Sequence, residues 1–110
     1  MTRIKAGFTQ KVLQVIKSIP RGRVLSYGRV ANLAGDSRGA RQVARILHSM
    51  SGKHDLPWHR VVNFQGKISL ARGQGYELQK ALLESEGICF SPGHTIDFGQ
   101  YLWQPFPGSD

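Results

Sequence analysis

Cysteine is almost absent from this sequence, because Cys89 is the only one among 110 residues and no internal disulfide can form. Residues 1–5 do not follow the pattern of a secretory signal peptide. Together these features favour the reducing environment of the cytoplasm. No apolar run approaches the roughly 18 residues of a membrane-spanning helix, so we expect no association with a membrane.

Acidic residues are also scarce. Lys and Arg number 15 and Asp and Glu number 7, which gives a formal net charge of +8 at pH 7. The excess favours a polyanionic partner, most often nucleic acid, although a small basic protein whose charge only aids solubility would show the same balance. The length of 110 residues predicts one domain, residues 1–110, with a single modest core.

A first helix is predicted by apolar residues that recur at i, i+4, i+7, i+8 and i+11. They are Phe8, Val12, Val15, Ile16 and Ile19. Pro20 and Gly22 would end this helix. Such a pattern is typical of a core helix and requires no further role.

Two more helices are predicted to follow, separated by a short turn. Ser26 is a good N-cap for the second helix, and Gly35 is a typical C-terminal stop. Asp36 or Ser37 would cap the third helix, which we expect to reach about Met50. Two helices joined by a tight turn that contains glycine form a helix-turn-helix outline, a motif common in DNA-binding proteins.

The third helix is predicted to have two chemically different faces. Its apolar stripe consists of Ala40, Val43, Ala44 and Leu47. A basic row that points largely the other way consists of Arg38, Arg41, Arg45 and His48. A solvated basic face would show the same pattern. After a helix-turn-helix outline in a basic chain, however, the row favours a DNA-facing surface, and the residues expected to contact the DNA backbone are Arg38, Arg45 and Ser26.

Residues 57–62, Pro-Trp-His-Arg-Val-Val, form the most distinctive stretch. Proline fixes its own φ and favours an extended residue before it, and the two β-branched valines favour a short strand. Trp58 therefore lies at a rigid junction, a common position for a recognising residue. We expect the valines to pair with residues 67–68 in a small β-hairpin, and residues 51–55 to form a polar loop.

The rest of the chain predicts a fourth helix and an aromatic tail. In the helix, Leu78, Ala81 and Leu82 would be buried and Gly87 would follow the end. In the tail, residues 88–110, the side chains expected to pack on the core are Phe98, Tyr101, Leu102 and Trp103. The predicted fold is mainly α with a small β-hairpin.

The central stretch resembles the signature Pro-Cys-His-Arg-Val of the O6-alkylguanine-DNA alkyltransferases, with Trp58 in place of the cysteine. Residues 22–28 match that family's Gly-x-Val-x-Ser-Tyr-Gly, residues 40–43 match its Ala-Arg-x-Val, and residues 80–87 resemble its Lys-x-x-Leu-Leu-x-x-Glu-Gly, with the leucines one place earlier. With tryptophan at the cysteine position, the chain resembles the alkyltransferase-like proteins, a subfamily that binds alkylated guanine in DNA without repairing it. The implied fold is a winged-helix-like helix-turn-helix domain of the alkyltransferase C-terminal type.

The resemblance also implies how a damaged base would be held. Tyr27 would press on a DNA phosphate, rotate the nucleotide outward and contact the base edge. Arg41 would enter through the minor groove and fill the gap left in the base stack. The flipped alkylguanine would lie against Trp58. Backbone carbonyls at Trp58 and Val61 would accept hydrogen bonds from the guanine amino group, and the Arg72 amide would lie near O6.

Two departures from the family bear on activity. Trp58 offers only an N–H donor and no nucleophile, so alkyl transfer is not expected. The residues that match the family's activating partners, His59 and Glu86, are retained. Together with Pro57 and Arg60 they would form a structural set near the pocket. The position thirteen residues past Trp58, which carries a larger side chain in several relatives, is Ala71. This smaller residue would leave room for bulky O6 adducts.

The implied function is non-enzymatic recognition of O6-alkylguanine in double-stranded DNA, which flags the lesion for nucleotide excision repair proteins. We expect a monomer without a cofactor, in a bacterial-type cytoplasm and nucleoid-associated when bound to DNA. Outside this context, Trp58 would be interpreted as a core aromatic, Tyr27 as a helix anchor and Arg41 as a solvated arginine.

Two other functions stay open. A true alkyltransferase would have to use Cys89, which lacks the Pro-Cys-His-Arg setting and, between Ile88 and Phe90, is expected to be buried. A helix-turn-helix transcription regulator would need a sensor or dimerisation segment, and none is evident. The histidines His48, His54 and His94 lack metal-ligand spacing, so no metal is expected.

Overall fold

The computed structural model describes residues 3–105, apart from the side chains of residues 3–6, 51, 53 and 54. The described part is mainly helical with one two-stranded sheet. The elements in chain order are α1 (Arg3–Ser18), β1 (Leu25–Ser26), α2 (Tyr27–Leu33), α3 (Ala40–His54), a 3-10 turn (Trp58–Arg60), β2 (Val61–Val62), α4 (Tyr76–Ser85) and α5 (Phe98–Tyr101). None of these helices is both long and apolar enough to cross a membrane.

A first apolar cluster lies between α1, α2 and α3. Its buried side chains include Phe8, Val12, Ile16 and Ile19, then Val30 and Ala31, and finally Val43, Ile46 and Leu47. The helical spacing of the first four predicts this burial, and Val15 packs at the edge of the cluster. Burying one such side chain stabilises a fold by about 1.5–3 kcal/mol. The cluster therefore holds α2 and α3 in a fixed relative position.

The start of α2 follows the prediction. The Ser26 hydroxyl accepts a hydrogen bond from the Arg29 N–H at 3.1 Å and caps the helix. After the last turn, Gly35 has a φ of +102°, a left-handed conformation that favours glycine. The helix-turn-helix outline is thus built from a true N-cap and a glycine stop.

The start of α3 differs from the prediction. The Asp36 carboxylate accepts a hydrogen bond from the Arg38 N–H at 3.0 Å, so it closes a turn before the helix, which begins only at Ala40. Gly39 lies so close to α1 that a Cβ there would be 2.6 Å from the Phe8 ring. Close packing against α1 therefore sets the first residue of the helix, and Arg38 belongs to the turn.

The end of α3 also differs from the prediction. We expected a polar loop over residues 51–55, but the helix continues to His54. Polar residues alone do not end a helix, because each added residue extends the hydrogen-bonded ladder until a breaker intervenes. The helix ends where Asp55 adopts a φ of +53°, ahead of Pro57.

The predicted β-hairpin is wrong, although the small sheet exists. β2 pairs with β1 in parallel, with Leu25 opposite Val61 and Ser26 opposite Val62. Both strands are buried, so the pairing lies inside the molecule. After β2, the Asn63 side chain accepts hydrogen bonds from the backbone N–H groups of residues 65 and 67. The Lys67 N–H, a donor that the predicted hairpin ladder would need, is thus bound within the turn.

A second apolar cluster joins the sheet to the C-terminal half. Its buried members are Val24, Val62, Ile68, Leu83, Ile88, Ile96 and Tyr101. The tail packs on the core as predicted, with Phe98 and Trp103 half-buried and a β-bridge between Val24 and Leu102.

The buried face of α4 was predicted wrongly. Gln79 and Leu83 are buried, whereas Leu78 is 57% exposed, Ala81 is exposed and Leu82 is only half-buried. Moving the assigned face of a helix by one residue rotates it by about 100°. Because α4 is short and has several leucines, its apolar pattern does not determine which of them faces inward.

The expectation of a buried cysteine is also wrong, because Cys89 is exposed. The flanking Ile88 is 2% exposed and belongs to the second cluster. Neighbouring side chains in an extended segment point to opposite sides, so Cys89 faces solvent.

Gly66 and Gly73 offer a matched test of a close backbone approach, because both have a φ of +79°. A Cβ at Gly66 would be 2.5 Å from the Ile96 carbonyl oxygen, whereas a Cβ at Gly73 would meet no described atom within 4 Å. Gly73→Ala should lower the free energy of unfolding by about 1–2 kcal/mol through its left-handed conformation. Gly66→Ala should exceed that loss by about 1–2 kcal/mol because backbone atoms must also shift. Urea unfolding measures both, and equal losses would show that the contact with Ile96 is easily relaxed.

Candidate nucleic-acid interface

A cavity of about 200 Å³ opens between α2, α3, the 3-10 turn and α4. Its lining residues are Tyr27, Ala44, Leu47, His48, Trp58, Val61, Leu70 and Gln79. The structure therefore brings together three of the predicted pocket residues, Tyr27, Trp58 and Val61, which are far apart in the sequence. The other two, Ala71 and Arg72, are exposed on the neighbouring loop and do not line the cavity.

Several lining residues were not predicted. Ala44 was assigned to the apolar stripe of α3 and His48 to its basic row, but both are exposed and border the cavity. Leu70 and Gln79 carried no sequence signal, because the buried face of α4 was assigned to other residues. The i, i+4 spacing of Ala44 and His48, which places them on one side of the helix, is the signal that would have found that wall.

Trp58 is held by a short, hydrogen-bonded turn. Its backbone N–H donates to the Leu56 carbonyl at 2.8 Å, and the Arg60 N–H donates to the Pro57 carbonyl at 3.0 Å. The indole is half-buried, packs against the first apolar cluster and meets the His59 ring edge-on, with centroids 6.1 Å apart. The turn thus fixes a large aromatic surface at the cavity wall.

Glu86 joins the segments behind this wall. Its carboxylate accepts hydrogen bonds from His59 Nε2 at 2.7 Å, from Arg60 Nη2 at 2.7 Å and from the Gly22 N–H at 2.9 Å. Arg60 Nη1 also donates to the Ile19 carbonyl at 2.8 Å. One carboxylate therefore ties the end of α4 to the 3-10 turn and to the turn before β1.

Burial of Glu86 by itself raises the pKa of its carboxyl group. The hydrogen bonds from Arg60, from the Gly22 N–H and from His59 outweigh that effect and lower the pKa from 4.5 to about 2. Hydrogen bonds to the charged form favour it in this way. The Nε2 atom of His59 is occupied by its hydrogen bond to Glu86. The two side chains therefore form a clamp between the 3-10 turn and the end of α4.

The loop between β2 and α4 is tied to the cavity rim and to α4. The Tyr27 hydroxyl is hydrogen-bonded to the Ser69 hydroxyl at 2.9 Å. Further along, the Arg72 guanidinium lies 4.5 Å from the centre of the Tyr76 ring, and the Gly73 N–H donates to the Glu77 carboxylate at 3.0 Å. These contacts hold the loop beside the cavity, where it contributes Leu70 as a wall.

Exposed basic side chains lie on and just before α3, the helix that contributes Ala44, Leu47 and His48 to the cavity lining. Arg41 lies one helical turn before Ala44, on the same side of the helix. Arg38, Arg41, Arg45 and His48 are all exposed. Within residues 3–105 the recorded ion pairs both involve Glu86, so the charges of these arginines are available to a partner. Ser26 differs from them, because it is buried and its hydroxyl caps α2.

The described residues hold no group of three or more His, Cys, Asp or Glu side chains placed to bind a metal ion.

Residues 7–88 match the family model described as 6-O-methylguanine DNA methyltransferase, DNA binding domain. The chain is 45% identical over 97 residues to the DNA base-flipping protein of Escherichia coli K12, covering 88% of this chain and 74% of that protein. It is 35% identical over 103 residues to alkyltransferase-like protein 1 of Schizosaccharomyces pombe, covering 89% and 95%.

A solved structure agrees with these matches. The crystal structure of the S. pombe protein in complex with damaged DNA containing O6-carboxymethylguanine superposes with a TM-score of 0.78 at 33% identity, covering 89% of this chain and 95% of that one. The helical fold with its small sheet is therefore the fold of that relative. The chain belongs to the family of the O6-methylguanine DNA methyltransferase DNA-binding domain, as a homologue of its alkyltransferase-like members.

Proposed function

We propose that this protein recognises O6-alkylguanine in double-stranded DNA and binds the damaged base without transferring its alkyl group. The observation that carries the proposal is the position of Trp58, which lines a small aromatic cavity beside exposed arginines on α3. A homologue with the same fold was crystallised with damaged DNA, and another is named a DNA base-flipping protein.

The cavity suits a single flat base. Its volume of about 200 Å³ lies below the roughly 300–1,000 Å³ typical of pockets that enclose drug-sized ligands. Flipping a base out of the helix costs a few kcal/mol, least where pairing is already weak. Stacking on an aromatic side chain returns about 1–3 kcal/mol, and Trp58 offers such a surface. The apolar side chains of Leu47 and Leu70 provide contacts for the alkyl group.

The arginines supply the DNA contacts. Arg41, one helical turn before Ala44 in the cavity lining, would enter the minor groove and fill the space that a flipped base leaves. Arg38 and Arg45, which are exposed, would neutralise phosphates and so add affinity that does not depend on sequence and falls with salt. We therefore expect the protein to bind any DNA duplex, and to bind a duplex that contains the lesion more tightly.

Two observations support the expectation that the protein transfers no alkyl group. Trp58 has no nucleophilic atom, and Cys89 does not line the cavity. The backbone N–H of Cys89 donates a hydrogen bond to the Tyr101 hydroxyl at 3.1 Å. Cys89 therefore lies beside the second apolar cluster, to which Tyr101 belongs. Since a bound but unrepaired lesion requires a later repair step, we propose that nucleotide excision repair proteins act on the complex.

A competition assay tests the proposal. Two duplexes that differ by one O6-methylguanine compete for the protein, and we expect roughly five- to 150-fold tighter binding of the damaged one, from the stacking contribution of about 1–3 kcal/mol. In a Trp103→Phe background only Trp58 fluoresces, since the chain has two tryptophans, and its emission should be quenched by the damaged duplex.

Two outcomes would contradict the proposal. Equal binding of both duplexes at several salt concentrations would leave only the general attraction between a basic protein and DNA. Transfer of a radiolabelled methyl group from the DNA to the protein would identify an enzyme, and a Cys89→Ser variant would then show whether that thiol is the acceptor.

A further inference from the structure

Phe64 is an exposed aromatic residue in the turn that follows β2. Its side chain is 79% exposed, more than those of Leu70 and Leu78, the other exposed large hydrophobic residues in the described part of the chain. A single exposed apolar side chain does not by itself indicate a role. Here, however, the turn that carries the ring is fixed on the protein, and the segment around it is fastened beside the cavity.

The turn around Phe64 is closed by hydrogen bonds on both sides of the ring. The Asn63 N–H donates to the Lys67 carbonyl and the Gly66 N–H donates to the Asn63 carbonyl, both at 2.9 Å. The Ile96 N–H donates to the Gly66 carbonyl at 2.8 Å, which fastens the turn to the second apolar cluster. Because the backbone on either side of Phe64 is already ordered, a contact made by the ring loses little conformational entropy.

The segment that contains Phe64 starts and ends beside Tyr27, which lines the cavity. At its start, Val62 is paired with Ser26, the residue before Tyr27. At its end, the Ser69 hydroxyl is hydrogen-bonded to the Tyr27 hydroxyl at 2.9 Å. Paired strands lie about 4.8 Å apart, and two residues of chain span at most about 7 Å. The Phe64 Cα therefore lies within roughly 12 Å of the Ser26 Cα, near the cavity wall that Tyr27 forms.

The charges around the turn favour a polyanionic partner. Residues 56–76 contain three arginine or lysine residues and no acidic one. Among them, Lys67 lies in the same turn as Phe64 and is exposed. Asp97 follows Ile96 on the other side of the turn, but its carboxylate accepts the Gly99 N–H at 2.8 Å and caps α5. An exposed ring beside an exposed cation suits a DNA duplex, which offers apolar sugar and base surfaces between its rows of phosphates.

We propose that Phe64 contacts duplex DNA outside the cavity, with its ring packed against the sugars and base edges of the minor groove close to the flipped nucleotide. This inference rests on the proposed function, since it takes the duplex that contains the lesion as the ligand. Proteins that bind the minor groove frequently place Phe and other apolar side chains against its base steps. Successive nucleotides of a strand are about 3.4 Å apart, so a residue within roughly 12 Å of Ser26 reaches about four positions from the flipped one.

An apolar contact differs from a phosphate contact in its dependence on salt. Each neutralised phosphate makes the fall of log K with log[salt] steeper by about 0.9, because condensed counterions are released. Packing of a phenyl ring releases no counterions. Loss of the ring should therefore weaken binding by the same factor at every salt concentration. Since Phe64 does not line the cavity, that factor should be similar for damaged and undamaged duplexes.

Phe64→Ser tests the inference in the competition between the O6-methylguanine duplex and its undamaged counterpart. We expect the variant to bind both duplexes about five- to tenfold more weakly, as for a phenyl ring that becomes partly buried, with an unchanged salt slope. Leu78→Ser, at an exposed apolar position of α4 outside the cavity lining, is the matched control and should keep the wild-type affinities. Because both positions are exposed, neither variant should shift the midpoint of urea unfolding.

A photochemical cross-link gives a second measurement that does not depend on affinity. With Phe64 replaced by p-benzoylphenylalanine, irradiation of the complex couples the benzophenone to C–H bonds that touch it. We expect a covalent protein–DNA adduct within about four nucleotides of the lesion. The same replacement at Leu78 should give no adduct.

The outcomes separate this inference from the proposed function. Wild-type affinity of Phe64→Ser for both duplexes would overturn the role of Phe64 and leave the exposed ring to a protein partner. A changed salt slope, an equal loss in Leu78→Ser, or the absence of an adduct from position 64 would also overturn it. Equal binding of the two duplexes by wild-type protein would instead overturn the proposed function, whatever the result for Phe64.

Discussion

Arg41→Ala should reduce the preference for an O6-methylguanine duplex over its undamaged counterpart by about ten- to a hundredfold. Extruding a base leaves a gap in the stack, and its unstacking costs a few kcal/mol. A planar guanidinium that enters this gap offsets part of that cost only when the base is flipped. Because Arg41 is exposed, removing its side chain beyond Cβ should leave the free energy of unfolding nearly unchanged.

Arg45→Ala is the matched control, because Arg45 is an exposed arginine one turn further along α3. Removing a cation that neutralises a phosphate should weaken binding of both duplexes by the same factor and lower the salt slope by about 1. The ratio between the duplexes should stay at the wild-type value. If Arg41→Ala also lowered both affinities equally, Arg41 would be one more phosphate-binding residue and the proposed insertion into the base stack would be wrong.

Tyr27→Ala should act in the same direction as Arg41→Ala. The ring lines the cavity and its hydroxyl is bound to Ser69, so the substitution removes a cavity wall and frees the neighbouring loop. Tyr27→Phe keeps the ring and loses only the bond to Ser69, which separates these two contributions in the same binding assay.

The helices of the first cluster were predictable because their information is local. Val12 and Ile16 recur at helical spacing, Ser26 is chemically suited to cap α2, and Gly35 is suited to end it. The parallel pairing of β1 with β2 was not predictable in this way, since the two strands are separated by α2 and α3. A pairing over that distance is decided by which strands can be buried together, and a local pattern favours the nearest hairpin instead.

The residues of the cavity also divide into those that a local sequence pattern identifies and those that it does not. Trp58 stood out because proline before it and β-branched residues after it mark a rigid junction. Gln79 did not stand out, because it is held in the cavity wall by hydrogen bonds to the carbonyls of His59 and Val61, which come near only after α4 has packed. A glutamine in a helix is ordinarily a solvated residue, and only the three-dimensional arrangement distinguishes this one.

We propose that the residues around Glu86, which resemble a reactive set, have a structural role. His59 and Glu86 match the activating partners of an alkyltransferase, yet no described thiol lies at the cavity. The carboxylate instead receives hydrogen bonds from His59, Arg60 and the Gly22 backbone. Its ionised form therefore determines how firmly the 3-10 turn is fixed, and with it the position of Trp58.

Glu86→Gln should lower the free energy of unfolding at pH 7 by about 2–4 kcal/mol. Breaking a buried ion pair by removing one partner costs about 3–5 kcal/mol, and the loss is smaller here because Arg60 keeps 17% of its side-chain surface in solvent. The pH dependence gives the sharper test. The pKa of Glu86 is lowered from 4.5 to about 2 in the folded state, so its stabilising effect is complete above pH 4.5 and is lost as the pH falls through about 2.

The difference between wild-type protein and Glu86→Gln should therefore stay constant from pH 7 to about pH 5 and narrow progressively below pH 4.5. Denaturant unfolding at each pH measures this difference. Glu84→Gln is the control, because Glu84 is an exposed carboxylate on the same helix, and it should change the free energy of unfolding by no more than about 0.5 kcal/mol at any pH. A difference for Glu86→Gln that persisted undiminished at pH 2 would show that the shape of the side chain, and not its charge, holds the clamp together.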